Sequence, residues 1–417
     1  MKTAAVIAEY NPFHKGHEYL LRRIREDSGA DFIVVMMSGD FVQRGEPAVT
    51  DKYGRTRAAL LGGADLVLEL PAAAALGSAG DFAETAVRIL DRLGVVDELW
   101  FGSETGDPDR LFPAAEVIAL EPEPYGAVLR SALAEGLSYP AAQSRATLAV
   151  LRGSGRENRD AAGVPSAPND LLATAYLASL IRTGSRIVPR SLKREGGDYH
   201  AVSGDHNASD GDDHAAGGAQ AAWSAESIRM DLADGRFYRA AQALPEASAA
   251  LITEEEDRNR LLFPDDFGDE VLYTIRRKSA EQLTAFAGVS PDLANRMKKL
   301  CFSCHSFSSF AEALKTKNVT RTRINRALFS ALLGIRKGDA ARSAGTEAVR
   351  ILGFRTGAER LIGAAAGRGG VMPVTGAKDM PRWYETDVFA SNLCEAARAK
   401  KSGLPFHHEF AQNVVKL

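Results

Sequence analysis

Four short apolar runs alternate with helical patterns along the first hundred residues. The runs Ala4–Ala8, Phe32–Met37, Asp65–Leu70 and Asp97–Phe101 each have the length of one buried strand. Between the last two runs, apolar residues recur at helical spacing over residues 82–93. Strands that are apolar on both faces and alternate with helices predict a parallel sheet covered on both sides. The predicted fold class for this part is therefore α/β, with a doubly wound parallel sheet.

The rest of the chain consists of a compositionally biased segment and a long helical part. Residues 201–222 are rich in Gly, Asp and His without an apolar period, which is typical of a flexible insertion and less so of a metal site. Beyond residue 240 the pattern is largely helical, with a short strand predicted at Val371–Thr375. We predict a catalytic domain over residues 1–235 and a mainly helical domain over residues 236–417.

The composition excludes several classes of protein. Hydrophobic residues make up 45% of the chain and charged residues 25%, close to the globular average, which excludes large-scale disorder. No apolar run reaches ~18 residues, so we expect no membrane span. Three cysteines and no signal pattern lead us to expect a reduced, cytoplasmic protein. The string Cys301-Phe302-Ser303-Cys304-His305 matches a haem-attachment pattern that requires export, so we predict core and helix residues there instead.

The net charge hides an uneven distribution. The chain has 51 Lys and Arg against 54 Asp and Glu, a formal charge of −3 that taken alone argues against a nucleic-acid partner. Residues 271–342, however, hold fourteen basic and four acidic residues, so their +10 leaves −13 for the remainder. We expect this segment to contact RNA phosphates rather than to be only a solvated helix face. Its densest stretch contains Lys315, Lys317, Arg321, Arg323 and Arg326.

The loop after the first strand carries the most informative motif. His14-Lys15-Gly16-His17 stands at the start of a helical pattern, so the two histidines share one helix face. A helix N-terminus offers unbonded N–H groups and a partial positive charge, which suit a phosphate. Helix capping or metal binding by the histidines is the alternative. The preceding strand and Asn11-Pro12-Phe13 favour a nucleotide.

This arrangement resembles the HIGH-type nucleotidyltransferase superfamily, which includes the class I aminoacyl-tRNA synthetases. Four longer strings resemble the bacterial tRNA(Met) cytidine acetate ligase family more particularly: Glu9–His17, Met37–Ala48, Gly63–Pro71 and Phe101–Glu104. The resemblance extends from residue 1 to about residue 360. It implies a Rossmann-like nucleotidyltransferase domain followed by a mainly α-helical C-terminal domain.

The resemblance also implies an activity. Members of this family use acetate and ATP to form acetyl-adenylate and acetylate N4 of the wobble cytidine of elongator tRNA(Met). The catalytic residues would then be His14, His17 and Arg229, with the two histidines at the α-phosphate and the arginine at an α-, β- or γ-phosphate oxygen. Mg²⁺ is expected to accompany pyrophosphate. Two rival interpretations are a small-molecule nucleotidyltransferase and a non-catalytic RNA-binding protein with a regulatory ATP pocket.

The family pattern assigns the ATP site residue by residue. The assigned residues are Ile7, Ala8, Glu9, Tyr10, Asn11, Pro12, Phe13, His14, Lys15, Gly16, His17, Glu18, Tyr19, Leu20, Gly102, Asn169, Arg194, Ser224 and Arg229. Ser224–Arg229 corresponds to the superfamily's second motif, with Glu226 at a position where the family usually has Thr. From the residues alone, Asn169 also suits a helix cap, and Ser224 and Arg229 also suit a capped helix with a solvated arginine.

The second loop contributes polar residues at the predicted sheet edge. Asp40, Gln43 and Arg44 follow the second strand, where ligands of parallel sheets bind. Acetate, magnesium and tRNA remain alternatives for what they hold. The next helix carries Lys52, Arg55 and Arg57, which we expect on its solvent face.

Overall fold

The structure, a computed structural model, describes residues 1–153, 167–194, 224–316 and 319–417. The predicted insertion, together with its alternative as a metal site, lies outside these residues, and so does Lys317. The core of the described part is one mixed sheet with helices on both faces and a separate helical layer.

The strands agree closely with the apolar runs. They are β1 Thr3–Ala8, β2 Phe32–Ser38, β3 Phe41–Val42, β4 Glu46–Pro47, β5 Leu66–Leu70, β6 Glu98–Ser103, β7 Val188–Lys193, β8 Ala348–Phe354, β9 Met372–Val374 and β10 Val415–Lys416. All four strands predicted in the first hundred residues are confirmed within two residues at either end. The short strand predicted near residue 373 is confirmed as β9.

Helices fill the intervals and most of the second half. In the described part of the chain they are α1 Lys15–Ser28, α2 Lys52–Leu61, α3 Ala72–Ala75, α4 Ala79–Arg92, α5 Pro108–Leu120, α6 Tyr125–Ala134, α7 Tyr139–Gly153, α8 Pro168–Thr183, α9 Ala225–Ala233, α10 Phe237–Gln242, α11 Glu246–Asp257, α12 Gly268–Arg277, α13 Ala280–Leu283, α14 Pro291–Leu300, α15 Phe307–Leu314, α16 Arg321–Leu333, α17 Asp339–Ala344, α18 Glu359–Arg368 and α19 Glu385–Ser402. None of the helices described is long and apolar enough to cross a membrane.

The sheet has the order β10-β8-β5-β2-β1-β6-β7, with β9 also paired to β8. Strands β5, β2, β1, β6 and β7 are mutually parallel, which confirms the predicted α/β class. Strand β8 runs antiparallel to β5 and carries β9 and β10 beside it, so the sheet is mixed. The sheet therefore takes strands from both sides of the boundary at residue 235, and the division into two domains stays a prediction.

Strand β2 shows why the apolar runs are continuous. Phe32, Val34 and Met36 pack into one core cluster, whereas Ile33 and Val35 pack into the cluster on the other face. Side chains alternate across a strand, so a strand buried on both faces must be apolar at every position. Each such side chain contributes roughly 1.5–3 kcal/mol of transfer free energy.

The helical layer has its own core, which reaches into the second loop. Phe41 of β3 packs against Phe329 of α16 and Phe267, with ring centroids 5.1 and 5.9 Å apart. Cys301 and Cys304 are buried free thiols in the same cluster, which confirms core positions for these two residues. The predicted helix is wrong for this string, because it forms the turn after α14 and leaves Phe302 exposed. The phenylalanine contacts fix the second loop of the sheet to the helical layer.

The expected solvent face of α2 is wrong for two of its three basic residues. Lys52 and Arg55 are 0% and 1% exposed, and only Arg57 faces solvent. The Lys52 ammonium lies 2.8 Å from Glu69 Oε1 and 2.9 Å from Glu409 Oε1. The prediction failed because these partners come from β5 and from the far end of the chain, which the local pattern does not reveal.

Replacing Lys52 should be strongly destabilising. Lys52→Met leaves Glu69 and Glu409 as buried carboxylates without their shared cation, and breaking a buried ion pair from one side costs about 3–5 kcal/mol. Urea unfolding measures the free energy of unfolding. The control is Arg23→Met, which removes the exposed Arg23–Asp27 pair and should leave the midpoint nearly unchanged. Equal midpoints for the two variants would contradict the assigned role of Lys52.

Candidate active site

The site forms where the first loop leaves β1 and enters α1. Tyr10 has a left-handed backbone (φ 49°), and its ring packs against Phe13 and His17, each at 4.8 Å between centroids. His14 is the N-cap of α1. The loop is therefore a packed structure that presents the two histidines at the helix N-terminus.

The two imidazoles are stacked, with ring centroids 3.7 Å apart and planes inclined by 25°. The Gly16 N–H donates to His14 Nδ1 at 3.1 Å, and the His14 N–H donates to His17 Nδ1 at 3.2 Å. A neutral imidazole that accepts at Nδ1 carries its proton on Nε2. The capping alternative is thus correct for Nδ1, and the same caps leave each ring with an Nε2–H donor.

Both histidines are held neutral. Burial, followed by the nearby Arg194 and Arg229 guanidiniums, lowers the pKa of His14 to about 3. Burial, together with His14 and Arg194, lowers the pKa of His17 well below its usual value. At neutral pH the pair therefore offers hydrogen-bond donors, and the arginines supply the positive charge.

Glycine at position 16 is explained by the His14 ring. A Cβ added at Gly16 would lie 2.9 Å from His14 Cε1, closer than real Cβ contacts allow. The neighbouring Lys15 side chain is directed elsewhere, because Nζ donates to the Gln242 carbonyl at 2.7 Å. Its backbone N–H donates to the Ala243 carbonyl at 2.9 Å. These contacts place Lys15 as an anchor between the loop and α10.

Arg229 connects α9 to both loops. Ser224 caps this helix by accepting from the Ser227 N–H at 3.1 Å, as its position in the sequence suggested. Arg229 is only 9% exposed, so the alternative of a solvated arginine is wrong. Its Nε lies 2.7 Å from Glu46 Oε1, and its Nη1 donates to the Asn11 carbonyl at 2.8 Å. The guanidinium is therefore fixed next to the histidine loop.

Glu226 makes a contact that a threonine could not make. Its Oε2 lies 3.1 Å from Arg44 Nη1 of the second loop, and both side chains are partly exposed. The altered residue of the second motif thus forms an ion pair between α9 and the second loop.

Gly102 is the penultimate residue of β6, and Arg194 and Asn169 lie near the carboxyl end of this strand. The Arg194 side chain packs over Gly102, since a Cβ added at Gly102 would lie 3.5 Å from Arg194 Cγ. Asn169 is not the cap of α8, which begins after Ala167; instead its Nδ2 donates to Glu104 Oε1 at 2.6 Å. Glu104 therefore orients the Asn169 amide.

The three residues predicted at the second loop have different surroundings. Asp40 is 5% exposed and lies 3.9 Å from the buried Arg398, so its carboxylate belongs to the interior. Buried cations, with Lys52 foremost, hold its pKa below the usual range despite burial. The Gln43 N–H donates to Glu9 Oε1 at 2.8 Å. Of the three, Gln43 is thus bonded to the first loop, and Arg44 is paired with Glu226 of α9.

The basic residues of the helical layer differ in exposure and partners. Arg326 Nη1 donates to the Gln43 carbonyl at 3.1 Å, which anchors α16 to the second loop. Arg321 lies 3.0 Å from Glu312, and Lys315 lies 3.5 Å from the same carboxylate. The structure therefore places Arg326 next to the site loops.

Ile7 and Tyr19, at the two ends of the assigned segment, differ in their surroundings. Ile7 belongs to the core cluster beneath the sheet. Tyr19 is 38% exposed, and the Arg22 guanidinium lies 5.4 Å from its ring centroid.

Two carboxylates with direct contacts to site residues, Glu46 and Glu104, were not predicted from the sequence. Both lie inside the strings that carried the family resemblance, but their partners are distant in the chain.

A metal site is not evident among the residues with described positions. No group of three or more His, Cys, Asp or Glu side chains converges there.

The buried neutral state of His14 should make stability pH-dependent. The folded pKa near 3 lies below the unfolded value of about 6.5, so the unfolded chain binds the proton first as pH falls. Between pH 7 and pH 5 the wild type should lose about 2 kcal/mol of unfolding free energy that a His14→Gln variant does not lose. Urea titrations at both pH values measure this. His407→Gln, at an exposed position, should keep the wild-type slope; an unchanged slope in His14→Gln would contradict the assignment.

Comparison with known proteins identifies the family. A model of the HIGH Nucleotidyl Transferase family matches residues 1–403. The tRNA(Met) cytidine acetate ligase of Acetivibrio thermocellus is 34% identical over 431 residues, covering 100% of both chains. The protein of the same name from Caldicellulosiruptor saccharolyticus is 35% identical over 364 residues, covering 87% of this chain and 84% of the relative.

Solved structures agree along the whole chain. The crystal structure of Thermotoga maritima TmcAL bound with alpha-thio ATP has a TM-score of 0.88 to this chain at 29% identity, with 100% of both chains covered. The apo form of the same protein gives a TM-score of 0.89. The chain therefore belongs to the HIGH nucleotidyl transferase family, and within it to the tRNA(Met) cytidine acetate ligase family.

Proposed function

We propose that this chain activates acetate with ATP to form acetyl-adenylate and transfers the acetyl group to N4 of the wobble cytidine of elongator tRNA(Met). The observation that carries the proposal is the neutral stacked pair His14 and His17 at a helix N-terminus, flanked by Arg194 and Arg229. Hydrogen-bond donors and neighbouring cations together suit a phosphate that gains charge during the reaction. The relatives' name supplies the acetate and the tRNA.

In the first step an acetate oxygen attacks the α-phosphorus of ATP, and the bond to the bridging oxygen breaks to release pyrophosphate. The Nε2–H groups of His14 and His17 donate to the α-phosphate oxygens as their charge increases. Arg194 and Arg229 neutralise phosphate charge that would repel the acetate anion. Catalysis is therefore mainly positioning and charge stabilisation.

In the second step the N4 amine of cytidine attacks the acetyl carbonyl. The bond to AMP breaks, N4 loses a proton, and N4-acetylcytidine is formed. The wobble base lies in a single-stranded loop, so its extrusion into the site costs little. Gln43, Arg44 and Arg326 are the residues proposed to meet this second substrate. In support, the Gln43 N–H donates to Glu9 of the first loop, and Arg326 donates to the Gln43 carbonyl.

Mg²⁺ is proposed to enter with the nucleotide. The described residues offer no cluster of carboxylates for a resident ion, and ATP phosphates bind Mg²⁺ well by themselves. When bound, the ion would reduce the charge of the departing pyrophosphate. Cytoplasmic location stays a prediction made from the sequence.

The proposed reaction is tested with ATP, labelled acetate and total tRNA, followed by nucleoside analysis. Label is expected in N4-acetylcytidine. His17→Ala should abolish acetate-dependent pyrophosphate exchange, because one Nε2–H donor is lost; removal of a single such donor typically costs about 10²–10³-fold in rate.

The matched control is His407→Ala, which removes an exposed histidine and should keep full exchange. Unchanged exchange in His17→Ala would remove the histidine from catalysis. Label in a small molecule would favour a small-molecule nucleotidyltransferase. Binding of tRNA without any label would favour a non-catalytic RNA-binding protein.

Charge reversal in the basic segment should separate tRNA binding from acetate activation. Arg321→Glu with Arg323→Glu should weaken tRNA binding and reduce the slope of log affinity against log salt by about two, one for each lost phosphate contact. Pyrophosphate exchange should continue. Arg382→Glu, an exposed arginine outside the segment, serves as the control. Lost exchange with normal tRNA binding would contradict this division of roles.

A further inference from the structure

Two large aromatic side chains are exposed within the basic segment of the helical layer. Tyr273 on α12 is 60% exposed, and Phe302 in the turn after α14 is 71% exposed. Their neighbours in sequence Leu272 and Cys301 are buried in the helical core. The two rings thus lie on the outside of a well-packed element, where burial does not account for them.

Each ring carries an arginine on one side. The Arg277 guanidinium carbon lies 5.7 Å from the centroid of Tyr273, and that of Arg276 lies 5.4 Å from the centroid of Phe302. Arg276 is held in place because Nε donates to the Cys301 carbonyl at 3.0 Å. Since both rings stay more than half exposed, each can still offer a face to a partner.

These groups belong to one surface. Tyr273, Arg276 and Arg277 are three and four residues apart on α12, so they share a helix face. Arg276 contacts the turn that carries Phe302, which brings the second ring to the same face. We call these four residues the Tyr273–Phe302 face.

The charge around this face favours a polyanion. Lys278 directly follows the basic end of α12, and the exposed Lys299 lies in the last turn of α14, before Phe302. The two carboxylates of α12, Asp269 and Glu270, stand in its first turn, at the end opposite to Arg276, Arg277 and Lys278. Exposed aromatic rings with arginines between them are typical of surfaces that bind unpaired nucleotides. Each base has a flat face that can stack on a ring, and each nucleotide has a phosphate that can contact an arginine.

We propose that the Tyr273–Phe302 face binds unpaired nucleotides of the tRNA substrate, with the rings stacking on bases and the arginines contacting phosphates. The proposal rests on the proposed function, because it assigns a binding surface to the same substrate. Helix α12 packs against α16, and Arg326 of α16 donates a hydrogen bond to the second loop. The face is therefore on the same rigid layer that borders the active site.

The test measures affinity for tRNA, for a single-stranded oligoribonucleotide, and for the same oligonucleotide in a duplex. The double variant Tyr273→Ala/Phe302→Ala should weaken binding of tRNA and of the single strand about tenfold or more and leave the duplex unaffected. Its salt slope should stay as in the wild type, because no phosphate contact is lost. Tyr273→Phe/Phe302→Tyr should restore binding, since both rings remain.

Phe112→Ala is the matched control, because it removes an exposed aromatic ring from α5, outside the basic segment. Wild-type affinity in the double variant, or an equal loss for duplex and single strand, would overturn the stacking role. So would a change in sedimentation, which would indicate a contact between copies of the chain. Pyrophosphate exchange should be normal in every variant. If the wild type acetylates tRNA and the double variant binds tRNA normally, only the role of the Tyr273–Phe302 face is refuted. If the wild type does not acetylate tRNA, the proposed function is refuted.

Discussion

One buried guanidinium holds together the two loops on which the site depends. Arg55 donates through Nη1 to the carbonyls of Glu9 and Ser38, at 2.7 and 3.1 Å, and through Nη2 to that of Gly39. Its Nε donates to the Thr50 carbonyl at 3.3 Å. Glu9 and Gly39 directly follow β1 and β2, so a single side chain bonds the ends of both central strands. Burying a cation is costly unless its donors are satisfied, and here carbonyl groups satisfy them.

Buried charged groups with satisfied partners also connect the site loops to the far end of the chain. Lys52, one turn before Arg55, is shared by Glu69 of β5 and Glu409, and Tyr384 donates to the second oxygen of Glu69. The nearby Asp387 has its pKa raised to about 8, chiefly by burial and then by the Glu69 charge, which favours its protonated form below that pH. Residues beyond 380 thus complete the interior beneath the site loops, as β8 and β10 complete the sheet.

The sequence predicts those features that depend on local pattern. The strands follow from continuous apolar runs, and the histidine pair follows from spacing at a strand-to-helix loop. The partners of buried charges could not be predicted. Lys52 resembles any basic residue on a helix until Glu69 and Glu409 fold against it. The same is true of Arg55, whose partners are carbonyl groups of both loops. The same holds for Asp40, which follows a strand end as a ligand would but turns into the interior. Arg229 was recognised by its motif, whereas its partner Glu46 was not.

The division of charge in the site follows from these constraints. A cationic His14 would lie close to Arg194 and Arg229 in a buried place, which explains why its pKa falls and why the positive charge resides on the arginines. Arg229 uses Nε for Glu46 and Nη1 for the Asn11 carbonyl, so two of its three nitrogens fix its orientation. Under the proposed function, the third nitrogen, Nη2, would contact a phosphate oxygen. A lysine has a single side-chain nitrogen, so it could not bond Glu46 and the Asn11 carbonyl and still present a separate donor to a phosphate. This position therefore needs the forked guanidinium of arginine and not only a positive charge.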